Sequence, residues 1–295
     1  MSPAAHGIDN LRGALWIVVS SGFFSAMQAC AKLLGERLPS IEVAFGRAFL
    51  GFLIILPLLL LQSPGIWRTQ RLWLHVTRGG MGTFALICSY YSIAHMPLAV
   101  ATALSFTRPL FQVVLAALVL HEVVRRGRWA ATAIGFVGVL IVLRPGTETF
   151  DLAALVALAG ALAVAFVSLA LRELAQGERH LTILAYLGVV GTVMTGVPTA
   201  FVWVTPTLHE VAITFLMACV GVAGQYCLMQ GYRIGEASAL APYDYLRLPF
   251  TATLGLLLFA EIPDGHAMLG ALVIAGSTFY MAWREARRSR SPEPA

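Results

Sequence analysis

Residues 98–120 read LAVATALSFTRPLFQVVLAALVL, an apolar run with a single charge, Arg108, near its middle. At about 1.5 Å of rise per residue, a helix of that length covers the roughly 30 Å of hydrocarbon in a bilayer. An arginine at that depth costs roughly 2.5–3.5 kcal/mol on insertion scales, so it normally faces a cavity or a partner. Residues 238–260, SALAPYDYLRLPFTATLGLLLFA, repeat the design around Arg247. Both arginines are closely followed by a proline, Pro109 or Pro249. Proline removes a backbone donor and breaks or kinks a helix beside the charge.

The same reading extends along the chain. Of its 295 residues 58% are hydrophobic and only 12% charged, against roughly 25% charged in ordinary soluble domains. Lipid is therefore the expected solvent. Ten apolar runs follow one another: 11–33, 41–62, 72–94, 98–120, 129–144, 151–172, 181–204, 210–231, 238–260 and 266–284. Short turn-forming stretches such as Met96-Pro97 and Pro263-Asp264-Gly265 separate them, so neighbours must run antiparallel. The first run is too long for a cleaved signal segment and reads as an uncleaved helix. If the N-terminus is cytoplasmic, that side carries thirteen basic residues at or beyond the ends of the runs, including Arg12, Arg68, Arg71, Arg125, Arg126 and Arg128. The other side carries Lys32, Arg37 and Arg144. This asymmetry predicts an inner-membrane protein with both termini cytoplasmic.

A shift of 139 residues places Arg108 on Arg247, Phe111 on Phe250 and Glu122 on Glu261, and a shift of 140 places Lys32 on Arg172. Each half holds five runs, and an odd number inverts the second half. The expected fold is an all-α integral membrane protein of ten helices in two inverted five-helix repeats. These span residues 11–145 and 151–285, with a cytoplasmic tail at 286–295. In such folds the substrate site lies near the midplane between the halves.

Other classes are disfavoured. Lys32 is the only lysine and no G-x-x-x-x-G-K occurs, so nucleotide-driven transport is not expected. The basic residues form no stripe with interleaved aromatics, which argues against a nucleic-acid partner despite the net charge of +5. Cys30, Cys88, Cys219 and Cys227 lie inside apolar runs without metal or redox spacing and read as small core residues. Neither H-E-x-x-H nor G-x-S-x-G is present, so an intramembrane enzyme is the remote alternative. No metal or cofactor is expected.

Ala241-Pro242-Tyr243-Asp244-Tyr245-Leu246-Arg247-Leu248, then Phe259-Ala260-Glu261-Ile262-Pro263-Asp264 and the closing Trp283-Arg284-Glu285, resemble the drug/metabolite transporter superfamily of EamA type. Phe106-Thr107-Arg108-Pro109-Leu110 and Leu120-His121-Glu122 echo the pattern in the first half. Family members usually carry glycine before these glutamates, where His121 and Ala260 stand here. The resemblance covers nearly the whole chain and implies inverted repeats and alternating access. Similar proteins export amino acids, drugs or opine-type metallophores, or import riboflavin or S-adenosylmethionine.

Arg108 and Arg247 are the candidate carboxylate-binding residues, a task suited to the planar guanidinium. Asp244 lies three positions before Arg247, close enough to pair with it on one helix face. As the acid nearest the centre of any run, it is also the candidate for proton coupling. Arg47 lies deeper than its neighbour Glu42 and is a further pore candidate. Phe106, Tyr243 and Tyr245 flank the arginines as an amphipathic wall, and Gln112 adds a deep hydrogen-bonding group. Arg78 reads as a headgroup anchor. The expected activity is secondary transport of a small amino-acid-like or carboxylate-bearing metabolite, most readily export, with uptake as the alternative. Oligomeric state is left open.

Overall fold

The computed structural model describes residues 9–61, 69–118, 124, 126–144, 151–174, 178, 180–235, 240 and 243–289. They form eleven helices: α1 (Asn10–Gly35), α2 (Ser40–Leu60), α3 (Leu72–His95), α4 (Leu98–Ser105), α5 (Arg108–Leu118), α6 (Arg126–Leu143), α7 (Leu152–Leu174), α8 (His180–Thr199), α9 (Leu208–Ile234), α10 (Arg247–Phe259) and α11 (Gly265–Ser289). No strand occurs among the described residues. His121 and Glu122 lie outside them, as do residues 290–295. Helix α11 runs to Ser289, past the expected start of the tail at 286.

The helix starts follow local chemistry. The Asp9 carboxylate accepts the Arg12 N–H at 3.0 Å and caps α1. Thr207 and Glu210 satisfy each other's backbone N–H groups in a capping box that opens α9. Pro39 and Pro97, which have no N–H to satisfy, stand just before α2 and α4.

Run 98–120 is not one helix. It divides into α4 and α5 at Phe106 and Thr107, whose N–H groups bond back to Ala103 and Leu104 at 3.1 and 3.0 Å. Pro109 cannot supply the N–H that would have bonded Ser105, so the interruption falls before the arginine. In the run around Arg247, turn residues 245–246 precede α10, and Pro249 likewise cannot bond Tyr245.

By length and composition, seven stretches suffice to cross a membrane: α1, α2, α4 with α5, α6, α7, α8 and α9. Residues 247–259 and 265–281 are shorter apolar helices. The 24-residue α3 is long enough but carries polar groups, among them His75, Arg78 and Ser92, that are buried against other helices. Arg78 is thus no headgroup anchor; it is 8% exposed and its Nε has no acceptor.

Helices from the two halves pack in antiparallel pairs. Asp9 N–H bonds Ile234 O at 3.2 Å at one end of α1 and α9, while Arg37 pairs with Glu210 at the other. Arg71 meets Glu173, and Ser92 Oγ donates to Ala153 O at 2.9 Å, so α3 and α7 are also antiparallel. Thr199 donates to Ile41 O at 3.3 Å between α8 and α2. Arg144 pairs with Asp264 where α6 ends and α11 begins. Glycines permit the closest crossings: a Cβ on Gly270 would lie 2.7 Å from Gly138 O, and one on Gly231 would lie 3.1 Å from Gly13 O. Counting α4 and α5 as one run, exchange of the halves turns the α1–α9 pair into the α3–α7 pair. It maps α2–α8, α6–α11 and α4–α10 onto themselves.

A cationic cavity between the halves

Helices α1, α3 and α7, the α4–α5 break and the start of α10 line a partly open cavity of about 250 Å³. Its charged lining is Arg108, Asp244 and Arg247, which the two helix interruptions deliver to one place. Arg247 lies within electrostatic reach of both Asp244 and Arg108. Among the described residues no carboxylate comes within 4.0 Å of either guanidinium, so the Asp244–Arg247 ion pair that their spacing allows is not formed. Arg247 is held instead by aromatic contact, with its guanidinium carbon 4.5 Å from the centroid of the Phe24 ring. Its Nε is buried without an acceptor. The backbone beneath is pinned by Ser25 and Thr251, whose hydroxyls donate to Arg247 O at 3.4 and 2.9 Å.

The rest of the wall is mostly apolar. Phe106 lines the cavity and is backed by Tyr245, with centroids 4.8 Å apart and rings near parallel. Tyr245 in turn meets Phe279 edge-on. Met27 and Gln28 face in from α1, and Thr102 Oγ1 donates to Gln28 Oε1 at 3.3 Å. Tyr90 contributes a buried hydroxyl without a hydrogen-bond partner. Small residues of α7, including Ala157, Gly160 and Ala161, leave the space open on the far side.

The cavity therefore gathers Arg108, Arg247, Asp244 and Phe106, with Tyr245 in support. Arg47 does not line it; its guanidinium reaches toward α9, where a Cβ on Gly221 would lie 2.6 Å from Nε. It does come within electrostatic reach of the Tyr90 hydroxyl. Tyr243 is 40% exposed and outside the cavity, and Gln112 is half-buried away from it. Phe24 and Met27 were not singled out by sequence as site residues. Met27 and Gln28 sit three and four positions after Phe24, the helical spacing that puts them on one face.

Two guanidiniums and one carboxylate leave the cavity with an excess of positive charge in a mostly apolar setting. That charge balance suits an anion, and the carboxylate among the arginines suits a cationic group beside it. An all-helical bundle with a small charged void between its halves is the build of a membrane solute carrier.

The EamA-like transporter family matches residues 11–144 and again 151–283, and the chain belongs to that family. It is 32% identical to the S-adenosylmethionine uptake transporter of Rickettsia prowazekii (strain Madrid E), over 95% of this chain and 96% of that one. It is 33% identical to the riboflavin transporter of Rhizobium johnstonii, over 95% and 94%. It is 30% identical to the pseudopaline exporter of Pseudomonas aeruginosa, over 89% and 93%. A chain of known crystal structure shares the fold with a TM-score of 0.62 at 20% identity, covering 95% of this chain and 99% of that one. The family and these relatives are transporters and not enzymes.

Proposed function

We propose that this protein is a secondary transporter, in the inner membrane with both termini cytoplasmic, for a metabolite bearing an α-amino-carboxylate head. Arg108 and Arg247 bind the carboxylate, Asp244 faces the ammonium group, and Phe106 offers a ring face to the remainder. One observation carries this reading: two guanidiniums without acidic partners share a cavity with a carboxylate that neither has claimed. At about 250 Å³ the cavity is slightly below the usual range of roughly 300–1,000 Å³. That size suits a compact metabolite, or the head of a longer one.

S-adenosylmethionine has such a head together with a flat base, and the likeness to uptake transporters for it supports uptake. Riboflavin has no carboxylate and leaves the guanidiniums without an anion, so it fits less well. Export of a carboxylate-rich opine is the second reading, supported by the likeness to the pseudopaline exporter. The main pairings between the halves, which map onto one another when the halves are exchanged, support ten crossings in two inverted repeats at 11–145 and 151–285. Rocking of one repeat against the other would expose the cavity to each face in turn.

Counterflow separates the readings. Proteoliposomes preloaded with unlabelled S-adenosylmethionine should concentrate external labelled S-adenosylmethionine, with riboflavin a poor competitor. Counterflow with riboflavin or an opine but not with S-adenosylmethionine would replace the substrate proposed here.

A further inference from the structure

We propose that Lys32 and Glu261 form a lock that closes the cavity toward one face of the protein, and that each transport cycle breaks and remakes it. This rests on membership of a transporter family and is independent of the substrate. Lys32 stands in the last turn of α1 and is 9% exposed. Its Nζ donates to Ile93 O at 3.1 Å and Met96 O at 2.7 Å and pairs with the Glu261 carboxylate, so all three of its donors are engaged. The other carboxylate oxygen accepts the Leu98 N–H at 2.8 Å, one of the amides that a helix start leaves unsatisfied. The cation thus rests on the C-terminal carbonyls of α3 and the anion on the N-terminal amide of α4, which is the favourable dipole sense for both.

The position is what makes this pair a closure. Ser92, one turn before Met96, and Ala101, one turn after Leu98, both line the cavity, so the lock covers it on that side. Four of its contributors, Lys32, Ile93, Met96 and Leu98, belong to the first half, whereas Glu261 belongs to the second. The left-handed turn at Ala260, with φ 51°, directs the chain back over α10, and Gly255 leaves room for the carboxylate.

The chemistry is suited to reversal. A buried ion pair adds little net stability over an apolar pair of similar volume, because its attraction is set against desolvation. When the face opens, water solvates the two separated charges. An apolar pair exposed in the same way would gain no such hydration.

The test reads accessibility and needs no substrate. In a chain with the four cysteines replaced by alanine, Ala101→Cys reports opening and Glu36→Cys marks the face at the end of α1. A membrane-impermeant maleimide is applied to right-side-out and inside-out vesicles. Glu261→Gln leaves Lys32 charged and unpaired, and should speed labelling of Ala101→Cys at least about tenfold from the face on which Glu36→Cys reacts. The double variant Lys32→Met/Glu261→Met replaces the ions by an apolar pair and should slow that labelling below the parent rate. A folded Glu261→Gln protein with parental labelling would overturn the proposal. So would a double variant labelled as fast as the parent, and this arm decides the matter if the single variant does not fold.

Discussion

The Arg247 guanidinium lies over the ring of Phe24, 4.5 Å from its centroid, and no carboxylate among the described residues comes within 4.0 Å of it. The contact orients a charge while leaving its hydrogen-bonding edge for a ligand. A desolvated cation–π contact is worth about 0.5–2 kcal/mol. Phe24→Leu should therefore raise the KM for transport about 2- to 30-fold with little change in maximal rate. Initial-rate uptake into proteoliposomes against substrate concentration checks this.

Asp244 shares the cavity with both arginines and is ion-paired to neither, which makes it the acid whose removal tests proton coupling. Transport by the parent should respond to an imposed pH gradient, and Asp244→Asn should lose that response while still giving counterflow at a raised substrate concentration, because the same carboxylate faces the ammonium group. An unchanged gradient dependence in the variant would remove Asp244 from the coupling step.

Ala260 occupies the left-handed region at φ 51°, ψ 32°, which costs a residue with a Cβ roughly 1–2 kcal/mol. Glycine holds that conformation without the penalty. Ala260→Gly should stabilise the protein by about 1 kcal/mol, seen as a higher Tm in detergent, provided Glu261 keeps its place.

Asp264 is held below the usual carboxylate range, chiefly by the Ala267 N–H it accepts at 2.8 Å and also by its pairing with Arg144. A depressed folded-state value means that the ionised group stabilises the fold above the ordinary value of about 3.9. That contribution fades as pH falls through the lower folded value. Asp264→Asn should therefore lower Tm at pH 7, and parent and variant should converge in strong acid. Thermal unfolding across a pH series measures the convergence.

Much of this architecture was legible because apolar length and basic asymmetry are local properties. Helices α1, α2 and α9 end within a few residues of the apolar runs. Arg108 and Arg247 were identifiable as cavity residues because a central charge has few other places to go. The break beside Arg108 falls at Phe106 and Thr107, on its N-terminal side, because proline disturbs the bond to the residue four positions earlier. Tyr243 points outward because the chain turns at 245–246 before α10 starts, which ends any single helical register through 238–260. The Lys32–Glu261 lock joins residues far apart in sequence, and no spacing rule announces such a pair. Their shared signal was only that each is a charge beside an apolar run.

The account turns on a carboxylate bound by two guanidiniums at the junction of the halves. Equilibrium binding of labelled S-adenosylmethionine to the purified protein tests it most directly, with Arg108→Gln and Arg247→Gln beside the parent. Charge-assisted hydrogen bonds are worth about 1.5–3 kcal/mol each, so each variant should bind about tenfold to a hundredfold more weakly while keeping the parental Tm. Parental affinity in both folded variants would contradict the central claim.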